Sequence, residues 1–156
     1  MEKEQYRKIK TIVSVPYELA EGPTLYRFFE GLRQEKILAT KCKKCGRVLV
    51  PARTFCPRCF EDMEEWVEVA QEGTIETWCL VNYKYFGVSD DEVPYIAGFV
   101  RLDGTDCEFM HKIGGIDMSD PDKVAEKVKV GGRVKAVWSK EKHGDIFDMA
   151  HFKLVG

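Results

Sequence analysis

The chain has 156 residues, 44% of them hydrophobic and 32% charged. That balance excludes a disordered chain and suits one ordinary domain or two very small ones. Its 24 basic and 26 acidic side chains give a formal net charge of −2, which weighs against a dedicated nucleic-acid binder. No uncharged run is long enough to span a bilayer, and the opening Met1-Glu2-Lys3-Glu4-Gln5-Tyr6 has no apolar core of the signal-peptide kind. The expectation is a cytoplasmic protein with no membrane partner.

Residues 1–22 are charged, with Pro16 and Gly22 as breakers, and the sequence leaves a short helix and an extended arm both open. Pro23 and Thr24 supply a helix start, with Thr24 as the expected N-cap. Leu25, Phe28, Phe29 and Leu32 follow at i, i+3, i+4 and i+7, one face of a helix. Two adjacent phenylalanines on that stripe require an apolar surface, either the rest of this chain or a partner's groove.

Cys42-x-x-Cys45 and, ten residues on, Cys56-x-x-Cys59 form the most specific signal in the sequence. Each pair can sit on a tight turn that aims two sulfurs at one point, and two such turns give a tetrahedral, closed zinc site. Gly46 suits a left-handed turn position and Pro57 a turn with fixed φ. Iron in the same four-thiolate site would make a one-electron carrier, and the residues alone leave that open. A closed site has no free coordination position, so the metal's role is architectural in a module too small to fold by its own core. Residues 41–59 also hold six basic side chains and no acid, whereas residues 61–76 hold seven acids. The basic set either offsets the charge of a zinc tetrathiolate or binds phosphates. Cys79 and Cys107 fall in expected strands and read as small buried hydrophobes.

Strand patterning dominates the remainder. Trp66–Val69 is short and β-prone, and Thr74–Tyr83, Tyr95–Leu102, Cys107–Ile113, Arg133–Trp138 and Ile146–Leu154 are five principal strands. Asp103-Gly104 reads as a two-residue hairpin turn. Asp120-Pro121 opens a short helix to about Val128, between the third and fourth strands. This order matches a closed five-stranded barrel of the OB type, with a small open sandwich as the rival. The expected organisation is an N-terminal helical arm at 1–38, a zinc ribbon at 39–62 and an OB-fold at 63–156.

No catalytic signature is present: no phosphate loop, nucleophile elbow or metalloprotease helix. His111, His143 and His151 are scattered and form no set with a carboxylate or cysteine. The alternative to an accessory role is a single-stranded nucleic-acid module, in which Trp78, Tyr83, Tyr85, Phe86 and Phe99 would supply stacking surfaces.

The motifs Phe28-Phe29-Glu30-Gly31-Leu32, Lys41-Cys42-Lys43-Lys44-Cys45-Gly46-Arg47, Pro51-Ala52-Arg53, Cys56-Pro57-Arg58-Cys59, Glu65–Val69, Gly73-Thr74-Ile75, Pro94–Ala97 and Gly131–Val134 together resemble a family of small proteins that join a rubredoxin-like zinc ribbon to an OB-fold. The resemblance runs over roughly residues 24–155. It implies a mainly β fold with an N-terminal helix, zinc on Cys42, Cys45, Cys56 and Cys59, and hetero-oligomers with thiolase-superfamily enzymes acting on acyl-CoA. In such complexes the thiolase holds the nucleophilic cysteine, and the small subunit helps position the CoA ester. Some members serve aromatic degradation, the benzylsuccinate β-oxidation thiolase among them, and the length and layout here resemble that subgroup. Arg53 and Phe55, with Phe28 and Phe29, are the expected partner-facing residues, and Lys43, Lys44 and Arg47 the expected contacts to CoA phosphates.

Overall fold

The computed structural model describes residues 9, 11, 15–16, 18–84 and 93–156. Among the described residues the first regular element is a helix, α1 (Gly22–Arg33). Pro23 sits in the first turn, where its missing N–H costs nothing. The helix is under way at Gly22, so Thr24 lies inside it rather than capping it, and the preceding Glu21 makes no side-chain cap bond. The apolar stripe packs inward. Phe28 and Leu32 are fully buried, and Leu25 and Phe29 lie half-buried against the same core. Gly31 faces β1 (Ile37–Lys41) so closely that a Cβ there would meet Leu38 Cγ at 2.7 Å. That approach seats the helix on the strand.

Two sheets follow. In the first, β1 lies between β2 (Val48–Leu49) and β3 (Glu65–Val69), both antiparallel to it. Sequence patterning grouped residues 65–69 with the barrel segment, but β3 pairs with β1 from Ile37↔Val69 to Lys41↔Glu65. The second sheet is a closed barrel of β4 (Glu72–Val81), β5 (Tyr95–Leu102), β6 (Phe109–Gly114), β7 (Arg133–Trp138) and β8 (Met149–Leu154), in the order β4-β5-β6-β8-β7. The parallel β6–β8 pair and the antiparallel β4–β7 pair complete the circle, so no strand edge is left open in the barrel. Helix α2 (Pro121–Lys127) lies between β6 and β7, its first N–H groups bound by the Asp120 carboxylate. The expected fold, zinc-ribbon module and OB-type barrel included, is the observed one.

Two expected boundaries move for physical reasons. The strand expected from Ile146 starts at Met149, because Asp145 and the buried Asp148 bind local N–H groups and hold a 3₁₀ turn at Ile146–Asp148. Between β5 and β6 the Asp103-Gly104 pair does not make a two-residue hairpin. The connection runs on to Glu108 because its later residues bind the first sheet. Asp106 N–H donates to the Val48 carbonyl, and Asp106 Oδ2 accepts from Val48 N, both at 2.9 Å. The Cys107 thiol donates to the Val50 carbonyl and accepts from Val50 N, each at 3.1 Å. Cys107 is thus a half-buried hydrogen-bonding residue, and Cys79 is exposed rather than buried.

One apolar cluster runs from Phe28 and Leu32 of α1, through Ile37 and Ala39 of β1 and Val50, into the barrel. Phe28 meets Phe109 edge-on at 6.3 Å, and Phe109 meets Phe152 in the same way. His111 stands edge-on to Phe152, and burial among these rings lowers its pKa. Replacing Phe28 by Ala is expected to cost about 3–5 kcal/mol in chemical denaturation. The neutral form of His111 is the one the fold accepts, so the unfolded chain takes up protons more readily. Stability is therefore expected to fall as pH drops below about 6.5. His111→Phe should flatten that decline in pH-dependent unfolding, leaving the smaller contribution of the half-buried His151, whose pKa burial also lowers.

Candidate metal centre

The two Cys-x-x-Cys segments fold alike. In the first, Cys42 N–H donates to the Arg47 carbonyl and Gly46 N–H to the Cys42 carbonyl. In the second, Cys56 N–H donates to the Glu61 carbonyl and Phe60 N–H to the Cys56 carbonyl. The residue after each second cysteine must turn left-handed. Gly46 does so at φ +75°, and Phe60 does so at φ +58° despite its side chain, at a cost of about 1–2 kcal/mol. Buried Thr40 of β1 staples the intervening loop by bonding both the N–H and the carbonyl of Arg53.

These turns bring the Sγ atoms of Cys42, Cys45, Cys56 and Cys59 within 4.8 Å of one another, with Cys45 and Cys56 3.7 Å apart. Four sulfurs on a tetrahedral Zn²⁺ at about 2.3 Å stand about 3.8 Å apart, so the donor set fits that ion in size and chemistry. Cys42 and Cys56 are buried and pack with Leu49 and Met63 in a small second core, with Cys107 against it. Burial opposes ionisation of Cys56. Hydrogen bonds from the Arg58 and Cys59 backbone, and from Cys45 and Cys42, nevertheless bring its pKa down to about 7. Cys59, hydrogen-bonded to Cys45 and partly desolvated, is pushed up to about 12. Thiols this close hold one another's protons until a cation replaces them. All four ligands are used in holding the ion, which leaves no position for substrate.

The charges around the centre are largely paired. Lys43 meets Glu64 at 3.1 Å, Lys44 meets Glu61 at 3.0 Å, and Lys41 meets Glu65. Lys43, Lys44, Glu61, Asp62 and Glu64 line an open groove of about 450 Å³. The Lys44 pKa is raised, chiefly by Glu61, with smaller pulls from Cys59 and Cys42. Arg47 donates to the Asp106 carbonyl at 2.8 Å, tying the first turn to the β5–β6 connection. The basic and acidic stretches of the sequence therefore lie against each other, which sequence order alone does not reveal.

Of the four residues expected to face a partner, Phe28 is fully buried and has no surface to offer. Phe29 is half-buried in the core. Arg53 and the half-exposed Phe55 border a smaller groove of about 270 Å³ beside Thr24 and Leu25 of α1. Sequence reasoning missed Phe60, which is 80% exposed. Its signal was the position after Cys59, where the first turn has glycine. The aromatics expected to stack bases do not form one platform. Trp78 packs against the barrel core whereas Phe99 is exposed on the opposite face. Tyr85 and Phe86 lie outside the described residues.

Comparison with known proteins supplies the class. Residues 29–64 match the ChsH2 rubredoxin-like zinc ribbon domain, and residues 66–139 match the ChsH2 C-terminal OB-fold domain. Together they span more than half of the chain, which belongs to this family of zinc-ribbon plus OB-fold proteins, also called DUF35. A DUF35 domain-containing scaffold protein of Methanocaldococcus jannaschii is 28% identical over 109 residues, 68% of this chain and 70% of that protein. A DUF35 protein of unknown function from Sulfolobus solfataricus superposes with a TM-score of 0.60 at 26% identity, covering 85% of this chain and 84% of the other. The Ltp2–ChsH2 (DUF35) aldolase structure shares the fold with a TM-score of 0.58 at 20% identity, covering 82% and 91%. Among the described residues no helix is long and apolar enough to cross a membrane.

Elemental analysis of the purified chain is expected to find one zinc per molecule, and Cys56→Ser should abolish its retention. Because protons compete for the thiolates, retention is expected to weaken as pH falls, as followed by release to a chromophoric chelator.

Proposed function

We propose that this chain is a non-catalytic accessory subunit of a cytoplasmic, thiolase-type acyl-CoA enzyme complex, helping to bind or position the CoA thioester. The observation that carries this reading is the paired match, ribbon and barrel together, to a family whose relatives include a scaffold protein and the ChsH2 component of an aldolase. The chemistry of the centre supports it. A closed four-sulfur site stiffens a surface and offers no reacting position. The main core reaches Ile37, Ala39, Val50 and Ala52 beside the ribbon, and with the Arg47–Asp106–Cys107 contacts it joins ribbon to barrel, as suits a subunit that positions another's substrate.

Within this reading Lys43 and Lys44 contact CoA phosphates. Both are exposed and paired with carboxylates. Such exposed pairs are weak and screened by solvent, so a phosphate can displace the carboxylate at little cost. Arg47 keeps further N–H groups beyond its bond to Asp106. The substrate in this proposal is an aromatic acyl-CoA degraded by β-oxidation.

Mixing the chain with a thiolase-type enzyme that co-purifies with it is expected to raise thiolysis, while the chain alone shows none. An enzyme fully active without it contradicts the proposal. Changing Lys43 and Lys44 together to Glu should raise the KM for the CoA ester several-fold and leave co-purification intact. An unchanged KM removes the phosphate contact from the account.

A further inference from the structure

The two metal-binding turns share one backbone plan and differ at one residue. Gly46 and Phe60 occupy the same place, each donating its N–H to the carbonyl of the first cysteine at 2.8 Å, each with φ > 0. Glycine meets that requirement freely. A phenylalanine there is strained; the metal-binding turn imposes its backbone geometry, but the ring itself is 80% exposed, so packing of the side chain does not account for the choice of residue. A left-handed, solvent-facing aromatic points to contact with something outside the chain.

Its surroundings indicate what. Phe55, 51% exposed, lies on the same hairpin, bridged to Asp62. Arg53 and Arg58 are exposed, and among the described residues neither guanidinium has an ion-pair or hydrogen-bond partner, whereas Lys41, Lys43 and Lys44 are all paired. The lysines of the first turn are paired, and around the second turn two exposed rings, Phe55 and Phe60, stand within a few residues of Arg53 and Arg58, whose guanidinium groups have no carboxylate partner among the described residues. Arginine and aromatic side chains are the groups that anchor protein interfaces.

We infer that the second metal-binding turn is the docking element of this subunit. Phe60 inserts into an apolar pocket of the thiolase-type partner, and Arg53 and Arg58 pair with carboxylates at its rim. The inference rests on the accessory-subunit reading and names the surface through which it acts. The metal centre then has a definite task, which is to hold Phe60 proud of the surface on a turn that cannot relax.

The test uses the full zinc-loaded chain and the thiolase-type subunit that co-purifies with it. Phe60→Gly is expected to retain zinc and unfold at the same or a higher temperature, because the strain is relieved. It should nevertheless bind the partner at least tenfold more weakly by titration calorimetry. Phe60→Asn, which also tolerates positive φ, should repeat that result. Arg58→Glu should slow association and lessen its dependence on salt. Undiminished binding by the Phe60 and Arg58 variants, with the wild-type complex intact, overturns this inference alone. Loss of zinc or unfolding in both Phe60 variants overturns it by showing a structural role. A self-dimer of the wild-type chain that Phe60→Gly abolishes, with partner binding unchanged, assigns the ring to a second copy and overturns it as well. A wild-type chain that binds no thiolase-type subunit overturns both this inference and the reading beneath it.

Discussion

Four thiolates competing for one small space hold the ribbon together, because they can all be charged there only around a cation. The apolar material beside them is slight: Leu49, Met63 and the cysteines themselves. Burial on that scale does not fix two turns. The metal supplies the difference, and the turn geometry, Gly46 and the strained Phe60 included, is the shape the backbone takes when each turn aims two sulfurs at the same point.

A rigid ribbon is useful only if it is fixed relative to something, and the β5–β6 connection provides that. Its residues 103–108 depart from the tightest available turn and reach the ribbon instead. Asp106 pairs with Val48, Cys107 bonds both backbone polar groups of Val50, and Arg47 returns a bond to Asp106. From the other side Phe28 of α1 packs on Phe109 of the barrel, and the Arg27 guanidinium lies over the Trp66 ring of β3. Helix, ribbon and barrel are therefore held from two directions, and the metal-bound turns inherit the barrel's fixed orientation.

The sequence made the barrel legible because strand period and turn chemistry are local: five strands and α2 with its Asp120 cap lie where patterning places them. The ligand set was legible because cysteine spacing encodes it. What local reading missed was decided by long-range competition. Asp103-Gly104 has hairpin chemistry, but the ribbon captures the residues after it. Phe28 looked able to serve a partner until the barrel supplied Phe109 to cover it. Lys43 and Lys44 looked like a basic patch because Glu61 and Glu64, which neutralise them, are 17 and 21 positions away in the chain. For Phe60 the sequence holds a signal, its place after Cys59 where the first turn has glycine, but only the shared backbone plan shows that this place requires φ > 0.

A subunit of this kind works through shape and stiffness, and the distribution of that stiffness is measurable. Hydrogen exchange of the zinc-loaded chain, compared with the same chain after chelation, addresses it directly. Removing the metal should strip protection from residues 40–63 and from the Asp106–Cys107 contact they share with the barrel, while β4 to β8 keep theirs. Unchanged protection across the ribbon after the metal is gone would contradict that.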